Sequence, residues 1–134
     1  MSRVFIVSEP LRWDPEKGQW VRSMNLGAAR RFGEMVYLLP PNNEAPSDPN
    51  VVLGILRDKL STFGELDYLL PVGKPLYIAW ASAIAAARAD GILNFLDWQH
   101  DIRSYAVVRA NILTGRGTIA GDKYERDDAA RERA

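Results

Sequence analysis

The sequence predicts one α/β domain organised around a mostly parallel sheet, and three patterns carry that prediction. Short apolar, β-branched runs at residues 3–7, 34–39 and 67–72 alternate with stretches of helical periodicity. The run Tyr68-Leu69-Leu70 is apolar without alternation, as a strand covered on both faces should be. The helix after it, Pro75 to about Asp90, has almost no polar side and must therefore be buried. At 134 residues the chain fits a single domain, and it can bury roughly two thirds of its unfolded surface without a metal or a disulfide.

Taken in order, Arg3 to Val7 forms the first core strand. Leu11 to Val21 carries a strong hairpin signal. Asp14 accepts turn amides, Pro15 presets φ, and Gly18 supplies the left-handed residue. That spacing sets Trp13 opposite Trp20, a cross-strand pair contributing roughly 0.2–1 kcal/mol, on a projecting hairpin spanning residues 11–22. Asn25 caps a short helix through Phe32, which Gly33 stops. Glu34 to Leu39 is the second core strand, and Pro40-Pro41-Asn42-Asn43 ends it.

The next helix starts at Asp48 (cap) and Pro49 (first position) and runs to Gly64. Val52, Leu53, Leu56, Leu60 and Phe63 form its apolar face, with Arg57, Asp58 and Lys59 opposite. Asp67 to Val72 is the third strand, and Gly73-Lys74 turns into the 75–90 helix, which Gly91 ends. Ala79, Ala83 and Ala86 line one side of that helix and Tyr77, Trp80 and Ile84 another. It packs on the sheet alone or also on a second subunit. Residues 92–98 and 104–112 then make an antiparallel hairpin across Gln99-His100-Asp101-Ile102-Arg103. From Thr114 the chain is polar, Gly-rich and charged, so the domain is placed at 1–113 and a flexible or helical tail at 114–134. With right-handed crossovers the five core strands stand in the order 2-1-3-4-5, a Rossmann-like three-layer sandwich with an antiparallel edge hairpin and an inserted N-terminal β-hairpin.

Several functions are excluded. The chain has no cysteine, so disulfides, thiolate metal sites and cysteine nucleophiles are out. Its one histidine, His100, rules out a multi-imidazole zinc site. Lys plus Arg equals Asp plus Glu at 17 each, which leaves no long-range field for duplex nucleic acid. The most apolar window, residues 68–87, holds two prolines, a glycine and a lysine in its first half, which argues against a membrane span. Met1-Ser2-Arg3-Val4 leads straight into a strand pattern, so no cleaved leader is expected and the protein is placed in the cytoplasm.

Three groups of residues are candidate sites. At the carboxyl ends of the first and third strands, Ser8, Glu9, Gly73 and Lys74 would meet at the topological switch point, where a helix N-terminus and an ammonium suit phosphate, a nucleotide or a carboxylate. Only one glycine is present there, and Pro75 removes a donor. Trp13 and Trp20 offer an aromatic ribbon to a partner, or fold down on their own core. Trp98, His100, Arg103, Tyr105 and Arg109 offer a stacking and phosphate surface for a single strand of nucleic acid, with His100 as an acid–base candidate that lacks a second catalytic group. Ser8 with Glu9 also suits a base or metal ligand. The carboxylates Glu9, Glu34, Glu65 and Asp67 nevertheless read as solvated charges at element ends. No catalytic residue, metal or cofactor is assigned.

Asp67-Tyr68-Leu69-Leu70-Pro71-Val72-Gly73-Lys74-Pro75 and Leu96-Asp97-Trp98 through Tyr105 resemble stretches of small accessory proteins of tailed bacteriophages and prophages. Lys74 stands where that group more often has an acid. The resemblance implies an accessory protein made inside an infected or lysogenic bacterium and transfers no catalytic residue. The reading is a non-enzymatic protein that binds a host or viral macromolecule and self-associates through the 75–90 helix. The alternatives are a small nucleotide or phosphate enzyme or sensor at Gly73-Lys74, and a single-stranded nucleic-acid binder.

Overall fold

A computed structural model describes residues 2–120 of the chain. Its elements are β1 (Arg3–Ile6), β2 (Leu11–Asp14), β3 (Gln19–Arg22), a 3-10 helix (Gly27–Phe32), β4 (Glu34–Tyr37), α1 (Pro49–Lys59), β5 (Tyr68–Leu70), α2 (Pro75–Arg88), β6 (Ile92–Gln99), β7 (Ser104–Asn111) and β8 (Arg116–Ala120). Six strands form one sheet in the order β4-β1-β5-β6-β7-β8, and β2 with β3 forms a separate two-stranded ribbon. β4, β1, β5 and β6 pair in parallel, while β7 and β8 join as antiparallel neighbours.

β1 is the centre of this arrangement. Val4, Phe5, Ile6 and Val7 are all fully buried, and alternation sends them to two different cores. Phe5 and Val7 pack with Leu69, Leu93, Val52 and Leu56 of α1, and Ala81 and Ala85 of α2. Val4 and Ile6 pack with Leu70 and Leu96, and with Leu26 and Ala29 around the 3-10 helix. Each such side chain contributes about 1.5–3 kcal/mol on full burial. Both α-helices therefore serve one face of the sheet, and the other is covered by the 3-10 segment with Met24 and Phe32.

The local signals act as their chemistry requires. Asp48 accepts the Asn50 amide at 2.9 Å and Pro49 takes the first helical position of α1. Asn25 accepts the Gly27 amide at 2.9 Å, although the segment it opens is a 3-10 helix. α1 ends at Lys59, one turn earlier than its periodicity suggests, and Leu60 and Phe63 reach the core from the following turn. At Gly33 a Cβ would lie 2.3 Å from the Ser2 carbonyl oxygen, so only glycine lets the chain pass the start of β1 on its way into β4.

Two sequence expectations need correction. Residues 116–120, assigned to the tail, form β8, which pairs along β7 from Asn111↔Arg116 to Val107↔Ala120. The turn that folds it back repeats the β2–β3 turn. Asp14 Oδ1 accepts the Glu16 and Lys17 amides, and Gly18 (φ +61°) donates to the Asp14 carbonyl. Asn111 Oδ1 likewise accepts the Leu113 and Thr114 amides, and Gly115 (φ +74°) donates to the Asn111 carbonyl. A polar Asx residue four before a left-handed glycine closes both hairpins. The remainder of the predicted tail lies outside the described residues.

The second correction is Asp67, read as a solvated carboxylate but only 5% exposed. It accepts the Arg3 amide at 3.0 Å, the Gly64 amide at 2.9 Å and the Arg3 guanidinium at 3.0 Å. The loop before β5 is thereby stapled to the start of β1. The Arg3 guanidinium is 30% exposed and also donates to Thr62, but the Arg3 and Gly64 amides would lose their charged acceptor, so Asp67→Ala should lower unfolding free energy by about 2 kcal/mol in urea denaturation. A loss within error of zero would show that the staple is dispensable.

Candidate functional site

The best-defined exposed feature is the β2–β3 ribbon. Its register pairs Trp13 with Trp20 and Leu11 with Arg22, which puts these four side chains on one side. The two indoles meet edge to face at 5.8 Å, yet Trp13 is 50% and Trp20 46% exposed. They stabilise each other without being covered by the domain. The ribbon is nonetheless anchored at its base. Asn42 accepts the Leu11 amide at 2.9 Å and donates to the Leu11 carbonyl at 3.0 Å. The Ser23 hydroxyl donates to the Pro10 carbonyl at 2.8 Å, and Arg22 pairs with Glu9 at 3.0 Å. A two-stranded ribbon is marginal alone, and these bonds hold it in one orientation.

At the strand ends, Ser8 and Gly73 are brought together because β1 and β5 are parallel neighbours. The Ser8 amide donates to the Val72 carbonyl at 3.1 Å. Gly73 (φ +120°) lies so close that a Cβ there would stand 3.0 Å from the Ser8 Cβ. The buried Ser8 hydroxyl donates to the Pro40 carbonyl at 2.8 Å, which ties the exit of β4 to that of β1. The other two candidates turn to separate partners. Glu9 pairs with Arg22, so it is not the solvated carboxylate expected, and the Lys74 ammonium sits 5.1 Å from the centre of the Tyr77 ring. Among the described residues no group of three or more His, Asp or Glu side chains could hold a metal ion.

The β6–β7 hairpin places Trp98 opposite Tyr105 and Asn94 opposite Arg109, on the sheet face that carries the 3-10 helix. Trp98 is half-buried, meets Tyr105 edge to face at 5.1 Å, and donates from Nε1 to Nδ1 of the exposed His100 at 3.3 Å. Arg103 holds a left-handed turn position (φ +47°) and is exposed. Arg109 is already engaged, with Asn94 Oδ1 at 3.2 Å and the Glu65 carboxylate at 3.7 Å. Trp98, Tyr105 and Arg109 thus share a face, with Tyr105 spent on packing.

The sequence reading missed one surface. Arg109, Asn111, Arg116 and Thr118 line an open groove of about 560 Å³ with Ile92. Its existence depends on β8. The usable signal was Asn111 with Gly115, the same spacing already recognised at Asp14 and Gly18.

Residues 2–112 match the model of a family described as phage Pam3 gp32-like protein. No curated protein and no solved structure matches the chain.

Tyr105 is 3% exposed and its hydroxyl has no hydrogen-bond partner among the described residues. Burial pushes its phenol above the usual tyrosine range, because the charged form would lose hydration. The folded state therefore favours the neutral phenol. Its contribution is complete below the unfolded pKa of about 10 and is lost as pH rises through the higher folded value. Tyr105→Phe should be as stable as the parent at neutral pH or better by about 1 kcal/mol, since no bond is broken, and should resist alkaline unfolding more strongly. Melting curves across alkaline pH check this; a clear loss of stability at neutral pH would mean the hydroxyl has a partner.

Proposed function

We propose a binding role from one premise: the chain belongs to the phage Pam3 gp32-like protein family, and its most prominent exposed chemistry is aromatic. In this reading it is a non-enzymatic accessory protein that engages a host or viral macromolecule through the face of the ribbon bearing Trp13 and Trp20. The single supporting observation is that two paired tryptophans remain about half exposed on an anchored, projecting element. Exposed tryptophan is costly in water and is enriched where partners bind most tightly. Anchoring lowers the ordering cost of association. The balanced charge favours a protein surface over nucleic acid. The action is placed in the bacterial cytoplasm; no described helix is long and apolar enough to cross a membrane.

Self-association through the 75–90 helix belongs to the same reading. α2 turns Tyr77, Ala81 and Ala85 into the core, and Leu76, Ala79, Ala83 and Ala87 stay exposed on the other side. A second reading, a phosphate or nucleotide ligand at the ends of β1 and β5, draws support from the contact of Ser8 with Gly73 and from the exposed Lys74 at the start of α2. A third, a single strand of nucleic acid on the β6–β7 face, draws support from Trp98 and Arg109 sharing that face.

Affinity capture from lysates of infected cells separates the readings. The parent chain should retain a partner that Trp13→Ala/Trp20→Ala loses, while the two proteins melt within about 1 kcal/mol of each other, as loss of one cross-strand pair dictates. Equal recovery by both would rule the ribbon out. For the second reading, a hundredfold excess of phosphate or nucleotide over its Kd should stabilise the protein by about 2.7 kcal/mol in thermal melting. Unchanged melting with every nucleotide would eliminate it.

A further inference from the structure

The sheet has two edges and treats them differently. At β4, the amides of Glu34 and Leu38 face β1 and donate to the carbonyls of Ser2 and Ile6. Alternation turns Tyr37 outward, and the Lys59 ammonium donates to its carbonyl at 3.0 Å. A lysine on an outward carbonyl is a known way of blunting an edge against further pairing. At β8 there is no such guard. All five of its residues are exposed, and among the described residues it pairs with β7 alone and no side chain hydrogen-bonds to it. Arg-Gly-Thr-Ile-Ala holds one charge and no proline, and the exposed Ile119 lies at its centre-right, one residue beyond Thr118.

We infer that the free edge of β8 pairs with β8 of a second copy, joining two sheets into one. Unpaired backbone amides and carbonyls along an edge are complemented by an extended strand and by no other element. A second β8 is already extended and presents the same free edge, so pairing costs little ordering of either chain. Full antiparallel overlap of a five-residue strand with its two-fold mate sets the axis at Thr118. Arg116 then faces Ala120 of the other copy and Gly117 faces Ile119, so no like charges are opposed. The zero net charge of the chain adds no repulsion between copies. This interface uses no residue of the aromatic ribbon, and it replaces α2 as the seat of self-association.

Sedimentation velocity of the full chain over a range of concentrations tests it. A monomer–dimer equilibrium is expected. Thr118→Glu sets two like charges against each other at the axis and should weaken the dimer about tenfold or more, while melting no lower than the parent because Thr118 is exposed and faces Arg109 across the β7 ladder. Since the chain lacks cysteine, Thr118→Cys should cross-link to a disulfide dimer under mild oxidation, and Leu76→Cys on α2 should not. A chain that stays monomeric overturns the inference. So does a dimer that survives Thr118→Glu but is lost with Ala83→Glu, which would move self-association to α2.

Discussion

The structure depends on the complete burial of β1. Four successive residues, Val4 to Val7, are removed from water on both faces, and the elements that surround them are placed to accomplish that. β4 and β5 must flank the strand so that its amides and carbonyls are paired within the sheet. α1 and α2 must lie over Phe5 and Val7, and the 3-10 segment over Val4 and Ile6. Glycines are needed where other chains approach the ends of this strand. Gly33 passes Ser2 at its start and Gly73 passes Ser8 at its finish. The pair of buried Asp67 with half-buried Arg3 belongs to the same constraint, because it fixes the entry of β5 beside the entry of β1.

Away from β1 the burial declines steadily. β6 buries Leu93 on one face and Leu96 on the other, β7 buries the adjacent Tyr105 and Ala106, and β8 buries none of its residues. The ribbon is a further step outward, a sheet of its own that shares no strand with the core. The exposed tryptophan pair therefore stands in a part little needed for folding. That division of labour allows binding surfaces to change while the central layer stays intact.

Much of the local structure was readable from residues alone. Asp14, Pro15 and Gly18 define the ribbon turn and with it the facing of Trp13 and Trp20. Asp48 and Pro49 define the start of α1, and the unbroken apolar run at Tyr68 to Leu70 marks a strand flanked on both edges. These signals are strong because turn and cap chemistry acts over four or five residues and needs no distant partner. β8 was not read, although Asn111 and Gly115 carry the same turn chemistry as Asp14 and Gly18. Its glycine and lack of an apolar row resemble a solvated tail, and only the ladder to β7 makes it a strand.

The candidate sites divide in the same way. The sequence by itself determined that Trp13 opposes Trp20, since hairpin register follows from turn length, and that the segments around Trp98 and Tyr105 join as an antiparallel hairpin. It also determined which chemistries lack their residues, through the absent cysteines and the single histidine. Only the tertiary structure decided that the first aromatic pair stands in solvent while Tyr105 is sealed in the core. It also decided that Glu9 answers Arg22, that Asp67 answers Arg3, and that Lys74 lies over Tyr77 rather than beside Glu9. Exposure and ion pairing depend on which distant segments the chain brings alongside. A residue's neighbours in sequence carry no record of that.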